Sequence, residues 1–171
     1  MPYLQYPIEH HQWVVPSLHL FGQDPGQYGD YSVTDKPRPP KYKSVIRLNR
    51  RSACELVADI QLLWIPLRDT EDPKKLRTVR EMVRLLEAVH YMPRPVLWHC
   101  SAGLNRSAYA LCIYMVAYLG WAPERAIKHL RAVRSKDVLH NQLMVGRILA
   151  MRPGVASVRG FMSLLPDGSR A

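Results

Sequence analysis

Short apolar runs alternate along the chain with longer segments of mixed character. The runs KSVIRL and QLLWI are rich in β-formers or large apolar side chains and predict two strands, and the segment RRSACELVAD between them suits a short helix. A third apolar run, in RPVLWHC, predicts a buried strand that ends close to His99 and Cys100. The pattern therefore predicts strands that are separated by helices.

Helical periodicity predicts four further helices. Asp72 followed by Pro73 has the form of an N-cap with proline at the first helical position, and Gly120 is placed to end a helix. We predict these helices over about residues 73–90, 104–120, 123–133 and 141–150.

The alternation of strands and helices sets the fold class. It predicts βαβ units, and therefore an α/β fold with a mostly parallel central sheet flanked by helices. Ligands of such sheets bind outside the carboxyl ends of the strands. Cys100 lies where a predicted strand ends and a helix begins, so we expect it at the ligand-binding edge.

The length of 171 residues predicts one compact domain, over residues 1–152, with a long loop at 20–43 and a loose tail at 153–171. Three widely spaced cysteines without a CxxC pair argue against a disulfide framework and a zinc site. No uncharged stretch reaches the roughly 20 residues of a membrane span. We expect a cytoplasmic protein without a membrane segment or a bound metal.

The formal charge of +10 is unevenly distributed along the chain. Residues 1–35 contain four acids and no Lys or Arg, whereas residues 36–52 contain seven bases and no acid. Such a block attracts anionic partners, although a solvated basic face would have the same composition. Arg50 and Arg51 follow a predicted strand on the ligand side, and we predict that they contact phosphate or substrate.

Residues 99–107 read HCSAGLNRS and connect the third predicted strand to a helix. The five residues between Cys100 and Arg106 allow a tight loop whose backbone N–H groups turn inward and bind a tetrahedral oxyanion at the helix N-terminus. Gly103 supplies the conformational freedom that the curvature requires. The same dipoles favour the thiolate form of Cys100, which is a nucleophile.

Two side chains extend this chemistry. Arg106 can offer its planar fork to two oxygens of a phosphoryl group, and Ser107 can hydrogen-bond the sulfur and help it to leave from an intermediate. The predicted substrate-binding loop consists of Ser101, Ala102, Gly103, Leu104, Asn105 and Arg106.

The pattern H-C-x5-R-[ST] resembles the signature of the cysteine-dependent protein tyrosine and dual-specificity phosphatases. The segment IPLRDTEDP is similar to the acid loop of that superfamily, and AIKHLRAVRSKDVLHNQL is similar to the helix-loop-helix after its phosphate loop. The resemblance covers residues 44–150 and favours the dual-specificity branch. It implies a dual-specificity phosphatase-like fold and metal-independent hydrolysis of phosphotyrosine and phosphoserine/threonine on proteins through a phosphocysteine intermediate, without a cofactor.

Phosphoryl transfer to cysteine also needs an acid for the leaving group and a base for water, and one carboxyl group can serve both. Asp69 follows the strand QLLWI and stands 31 residues before Cys100, an arrangement typical of the dual-specificity branch. Asp72 is the alternative, although its place before Pro73 suits a helix cap, and Glu71 is a third candidate.

Other residues of the resembling segments receive smaller roles. We expect His99 to orient the loop or tune the thiolate, and Asn141 either to stabilise the phosphate loop or to cap a helix. Arg134 and Lys136 are weaker candidates for substrate contact, and Cys112 is expected in the core. The remaining histidines form no recognised metal spacing and receive no role.

Two alternatives concern the substrate and the activity. Asn105 and Tyr109 are similar to the GxNRTGY pattern of RNA 5′-triphosphatases in the same superfamily, from which Ala102 and Ala108 depart. A catalytically silent module that captures phosphorylated partners is the second alternative. The expected partners are thus a phosphorylated protein or peptide, or an RNA 5′ end, and the oligomeric state stays open.

Overall fold

A computed structural model describes residues 11–15, 19–22, 42–49 and 60–153. The described strands are β1 (His11–Val15), β2 (His19–Gly22), β3 (Ser44–Arg47), β4 (Gln61–Trp64) and β5 (Val96–His99). The described helices are α1 (Val79–Leu86), which a 3₁₀ turn extends over Glu87–Tyr91, α2 (Arg106–Leu119), α3 (Pro123–Val133) and α4 (Gln142–Leu149).

The strands form one sheet in the order β1-β2-β5-β3-β4. β1 is antiparallel to β2, and the other neighbouring pairs are parallel. All four residues of β5 are buried, as expected for the central strand of a parallel sheet that is covered on both faces. The predicted α/β fold with a mostly parallel sheet is confirmed, and Cys100 directly follows the carboxyl end of β5.

Helix α2 lies at the centre of the core and contacts β5 and each of the other three α-helices. Every residue from Ser107 to Ala117 is buried, which fits a helix that is largely apolar around its circumference. Burial of a large apolar side chain contributes about 1.5–3 kcal/mol, so α2 is a rigid base for the loop before it. The helix ends at Gly120, where a φ of 70° provides the left-handed cap.

Helix α1 begins later than the sequence pattern predicts. Thr78 is its N-cap and forms a capping box with Glu81: Glu81 N donates to Thr78 Oγ1 at 3.2 Å, and Thr78 N donates to Glu81 Oε2 at 2.8 Å. The bond from the Thr78 N–H holds the pKa of Glu81 below its usual value. The predicted start at Pro73 is wrong, because Asp72 caps a separate turn through its contact with Lys74 N at 3.0 Å.

Several predictions fall outside the described residues. They concern the helix in RRSACELVAD, most of the loop at 20–43, the tail after residue 153, and the roles of Arg50 and Arg51. The single-domain organisation with a boundary at residue 152 stays a prediction. Within the described part of the chain, no helix has the length and apolar character needed to cross a membrane.

Candidate active site

The loop between β5 and α2 brings Cys100, Arg106 and Ser107 together at the edge of the sheet where strands end. Gly103 has a φ of 63°, in the left-handed region that glycine adopts without strain, so the predicted need for glycine at this bend is confirmed. Asn105 is the residue before α2, and its carbonyl accepts from Tyr109 N at 2.7 Å, which closes the first turn of the helix.

Cys100 is 2 % exposed, and its Sγ lies 3.3 Å from Ser107 Oγ. Ser107 is fully buried in the first turn of α2, so the core fixes its hydroxyl beside the sulfur. When the sulfur is a thiolate it can only accept, and the Ser107 hydroxyl donates to it. His99 is also fully buried, at the last position of β5.

Arg106 opens α2 and lines a pocket of about 810 Å³ together with Ser101 and Asp69. Its Nη2 donates to Ser101 Oγ at 3.0 Å. Its Nε is buried and has no hydrogen-bond acceptor among the described residues. Arg68 and Lys75 line the same pocket, so cations outnumber carboxylates on its described walls and favour an anionic ligand.

Asp69 lies on the pocket wall, and two asparagines hold its carboxylate. Asn105 Nδ2 is 3.2 Å from Oδ1 and 3.1 Å from Oδ2, and Asn141 Nδ2 donates to Oδ1 at 3.2 Å. Asn105 belongs to the loop that carries Arg106, so these bonds join the acidic residue to the oxyanion-binding loop. The arrangement presents a carboxyl group and a thiol to the same edge of the sheet.

Asp72 and Glu71 occupy different positions from Asp69. Asp72 accepts from Lys75 Nζ at 2.9 Å, and this bond, helped by the Lys74 N–H, holds the pKa of Asp72 below its usual value. A carboxyl group with a lowered pKa is less often protonated near neutral pH, which disfavours it as a general acid. Neither Asp72 nor Glu71 is part of the described pocket wall on which Asp69 lies.

Arg134 hydrogen-bonds the backbone of the loop between β5 and α2, a role that the sequence did not predict. Its Nε donates to Gly103 O at 2.8 Å, its Nη2 donates to Ala102 O at 3.1 Å, and the residue is 9 % exposed. In a trans peptide the N–H points opposite to the carbonyl, so the N–H groups of Gly103 and Leu104 point away from Arg134. The sequence offered no local signal, because the two bonded groups are 31 residues apart.

Asn141 combines the two roles between which the sequence could not choose. Its Oδ1 accepts from Met144 N at 3.1 Å as the N-cap of α4, and its Nδ2 donates to Asp69 and to Thr70 O. Its backbone N–H donates to Asn105 Oδ1 at 3.3 Å, which joins Asn141 to the loop between β5 and α2.

His140, which received no role from the sequence, lies next to this group. Its Nε2 is 2.8 Å from Asn105 Nδ2.

Comparisons with known proteins agree with this geometry. The family model described as dual specificity phosphatase, catalytic domain, matches residues 40–152. The tyrosine-protein phosphatase MSG5 of Saccharomyces cerevisiae is 25% identical over 80 residues, which are 47% of this chain and 16% of that protein. The chain thus spans about a sixth of the length of this curated relative.

Solved structures show the same fold. Human DUSP28 superimposes with a TM-score of 0.63 at 15% identity, over 82% of this chain and 90% of that one. OH1 from the Orf virus, a tyrosine phosphatase, superimposes with a TM-score of 0.57 at 20% identity, over 87% and 89% of the two chains.

Proposed function

Because the chain belongs to the dual specificity phosphatase family, we propose that it hydrolyses phosphomonoesters on proteins, on tyrosine as well as on serine and threonine. The observation that carries the proposal is the 3.3 Å contact between Cys100 Sγ and Ser107 Oγ. Ser101 and Arg106, which follow Cys100 in the chain, line one pocket together with Asp69. Nucleophile, oxyanion-binding cation and proton donor are the three groups that the reaction requires.

In the first step, the Cys100 thiolate attacks phosphorus and the bond from phosphorus to the leaving oxygen breaks. Asp69, in its protonated form, gives its proton to that oxygen, and the alcohol or phenol departs. Arg106 binds two of the phosphoryl oxygens through its guanidinium fork, and the N–H groups of residues 101–105 bind the remaining charge. The product is a phosphocysteine.

In the second step, the Asp69 carboxylate removes a proton from water, whose oxygen attacks phosphorus. The bond between phosphorus and sulfur breaks and inorganic phosphate is released. The Ser107 hydroxyl donates a hydrogen bond to the departing thiolate, which lowers the barrier for this step. His99, buried directly before Cys100, holds the start of the loop in place.

The cations on the pocket wall support an anionic phosphorylated protein or peptide as substrate. We also propose a cytoplasmic, reducing environment, which is supported by the free thiols of Cys100 and Cys112 and which the reaction needs in order to keep its nucleophile reduced.

The test is hydrolysis of p-nitrophenyl phosphate in the presence of EDTA. The parent is expected to turn over, Cys100→Ser to lose activity, and Cys112→Ala, a change of the other described free cysteine, to retain it. Equal activity of the parent and Cys100→Ser, or no activity in the parent, would contradict the proposal. A parallel assay of phosphate release from phosphotyrosine peptide, phosphothreonine peptide and 5′-triphosphate RNA then assigns the substrate. Release from RNA alone would identify an RNA 5′ end, and not a phosphorylated protein, as the substrate.

A further inference from the structure

The side chain of Asn105 joins three groups at the pocket. Its Nδ2 contacts both oxygens of Asp69 and lies 2.8 Å from His140 Nε2, and its Oδ1 accepts from Asn141 N at 3.3 Å. Asn105 is 3 % exposed, so these protein groups are the partners that decide its orientation. It is the residue directly before Arg106.

These contacts allow one orientation of the amide. The reversed orientation would place the amide oxygen against the Asp69 carboxylate and the NH₂ group against the Asn141 N–H, which pairs acceptor with acceptor and donor with donor. The NH₂ group therefore donates towards both Asp69 and His140. It follows that His140 Nε2 accepts.

The other ring nitrogen completes the assignment. His140 Nδ1 lies 3.1 Å from Asp137 O, which is a carbonyl oxygen and can only accept. Nδ1 therefore carries the proton and Nε2 has the lone pair. In this arrangement Nδ1–H donates to Asp137 O, and the acceptor at Nε2 is aimed at Asn105.

We propose that His140 and Asn105 are positioning residues for Asp69. The NH₂ group of Asn105 has two hydrogens. One donates a hydrogen bond to His140 Nε2, which fixes the amide plane so that the other is shared by the two carboxylate oxygens of Asp69. A carboxylate held from both oxygens keeps one position relative to the loop that binds the phosphoryl group. The inference rests on the proposed function, since it gives a role to these residues only if Asp69 is the proton donor.

The acceptor at Nε2 can be removed or retained by matched substitutions. His140→Leu removes it, and His140→Asn retains a donor near Asp137 O but is too short to place an acceptor beside Asn105. His140→Gln places an amide oxygen near the position of Nε2. Because His140 is exposed, these changes should leave the core intact, and thermal unfolding checks this.

The readout is kcat/KM for two aryl phosphates, since this ratio reports the step in which the leaving group departs. Phenolate is a poor leaving group unless its oxygen receives a proton, whereas the departure of p-nitrophenolate depends on that proton far less. For His140→Leu and His140→Asn we expect kcat/KM with phenyl phosphate to fall about tenfold and that with p-nitrophenyl phosphate to change by less than about twofold, with restoration in His140→Gln.

A double-mutant cycle separates this inference from the proposed function. In an Asp69→Asn background, His140→Leu is expected to have no further effect on phenyl phosphate. If Asp69→Asn itself shows no dependence on the leaving group, the proposed role of Asp69 fails. A different outcome is that Asp69→Asn shows that dependence while kcat/KM of His140→Leu equals that of the parent or falls equally for both substrates, or while His140→Gln fails to restore it. Any of these results would overturn the inference about His140 and leave the proposed function in place.

Discussion

Arg134, the residue after α3, donates from Nε to the carbonyl oxygen of Gly103 at 2.8 Å, in the middle of the loop that follows β5. A second bond, from Nη2 to Ala102 O, fixes the adjacent peptide. The loop therefore takes its shape from a distant helix as well as from its own glycine.

Substitution of Arg134 should weaken oxyanion binding. Arg134→Met leaves two loop carbonyls without their charged donor, and a hydrogen bond to a charged group contributes about 1.5–3 kcal/mol, so kcat/KM is expected to fall about 10- to 100-fold. Steady-state kinetics with p-nitrophenyl phosphate and inhibition by inorganic phosphate measure this effect.

Arg131 provides the control for Arg134. It also donates to two backbone carbonyls, those of Val138 and Leu139, but these belong to the turn before α4. Arg131→Met should therefore lower stability more than kcat/KM. Equal losses of kcat/KM and of stability in the two variants would contradict a specific effect of Arg134 on oxyanion binding.

Removal of the Ser107 hydroxyl should slow the release of phosphate. Ser107→Ala takes away the donor 3.3 Å from the sulfur, which matters when the thiolate departs from the phosphocysteine. Stopped-flow mixing with p-nitrophenyl phosphate is expected to give a burst of product followed by turnover about 10- to 100-fold slower than in the parent, with little change in kcat/KM. Ser135→Ala, in the turn after α3, is the control and should show no burst. A fall in kcat/KM as large as that in kcat would place Ser107 in the first step instead.

Replacement by asparagine should lower kcat/KM at Asp69 but not at Asp72. Asp69→Asn is expected to lower kcat/KM for phenyl phosphate about 100-fold or more, in the range of general acid catalysis, and to affect p-nitrophenyl phosphate much less. Asp72→Asn changes an exposed carboxylate paired with Lys75 and should behave like the parent. If Asp72→Asn shows the larger loss with phenyl phosphate, the proton donor is Asp72.

Cys112 should make stability depend on alkaline pH. Burial raises the pKa of the Cys112 thiol far above that of an exposed cysteine. Above about pH 9 the unfolded chain can ionise this thiol while the folded protein cannot, so this contribution to stability is complete below that pH and declines as the pH rises. Urea unfolding at several pH values should show a steeper alkaline loss in the parent than in Cys112→Ala, and parallel curves would refute this assignment.

The parts of the fold that could be predicted depend on residues close in sequence. The loop from Cys100 to Arg106 needs only a strand end, a glycine with positive φ and a helix start, and all three lie within the nine residues HCSAGLNRS. The end of α2 at Gly120 follows from the same local logic. The strand order β1-β2-β5-β3-β4 does not follow from alternation alone, because several orders satisfy it.

The start of α1 shows how two local signals compete. Asp72 with Pro73 and Thr78 with Glu81 are both N-terminal patterns, and the second one caps the helix because its two reciprocal bonds form. The roles of Arg134 and His140 had no signal at all. Each contacts the loop across 31 or more residues, and only the packing of α3 and α4 against α2 brings them there.

The covalent intermediate on Cys100 is the most direct test of the proposed reaction. Parent protein and Ser107→Ala are mixed with substrate, quenched in acid within milliseconds, digested and examined by mass spectrometry. We expect a phosphoryl group on the Cys100 peptide, in larger amount in Ser107→Ala, and none on the peptide that contains Cys112. Turnover without any phosphoryl group on Cys100 at any quench time would contradict the proposed reaction.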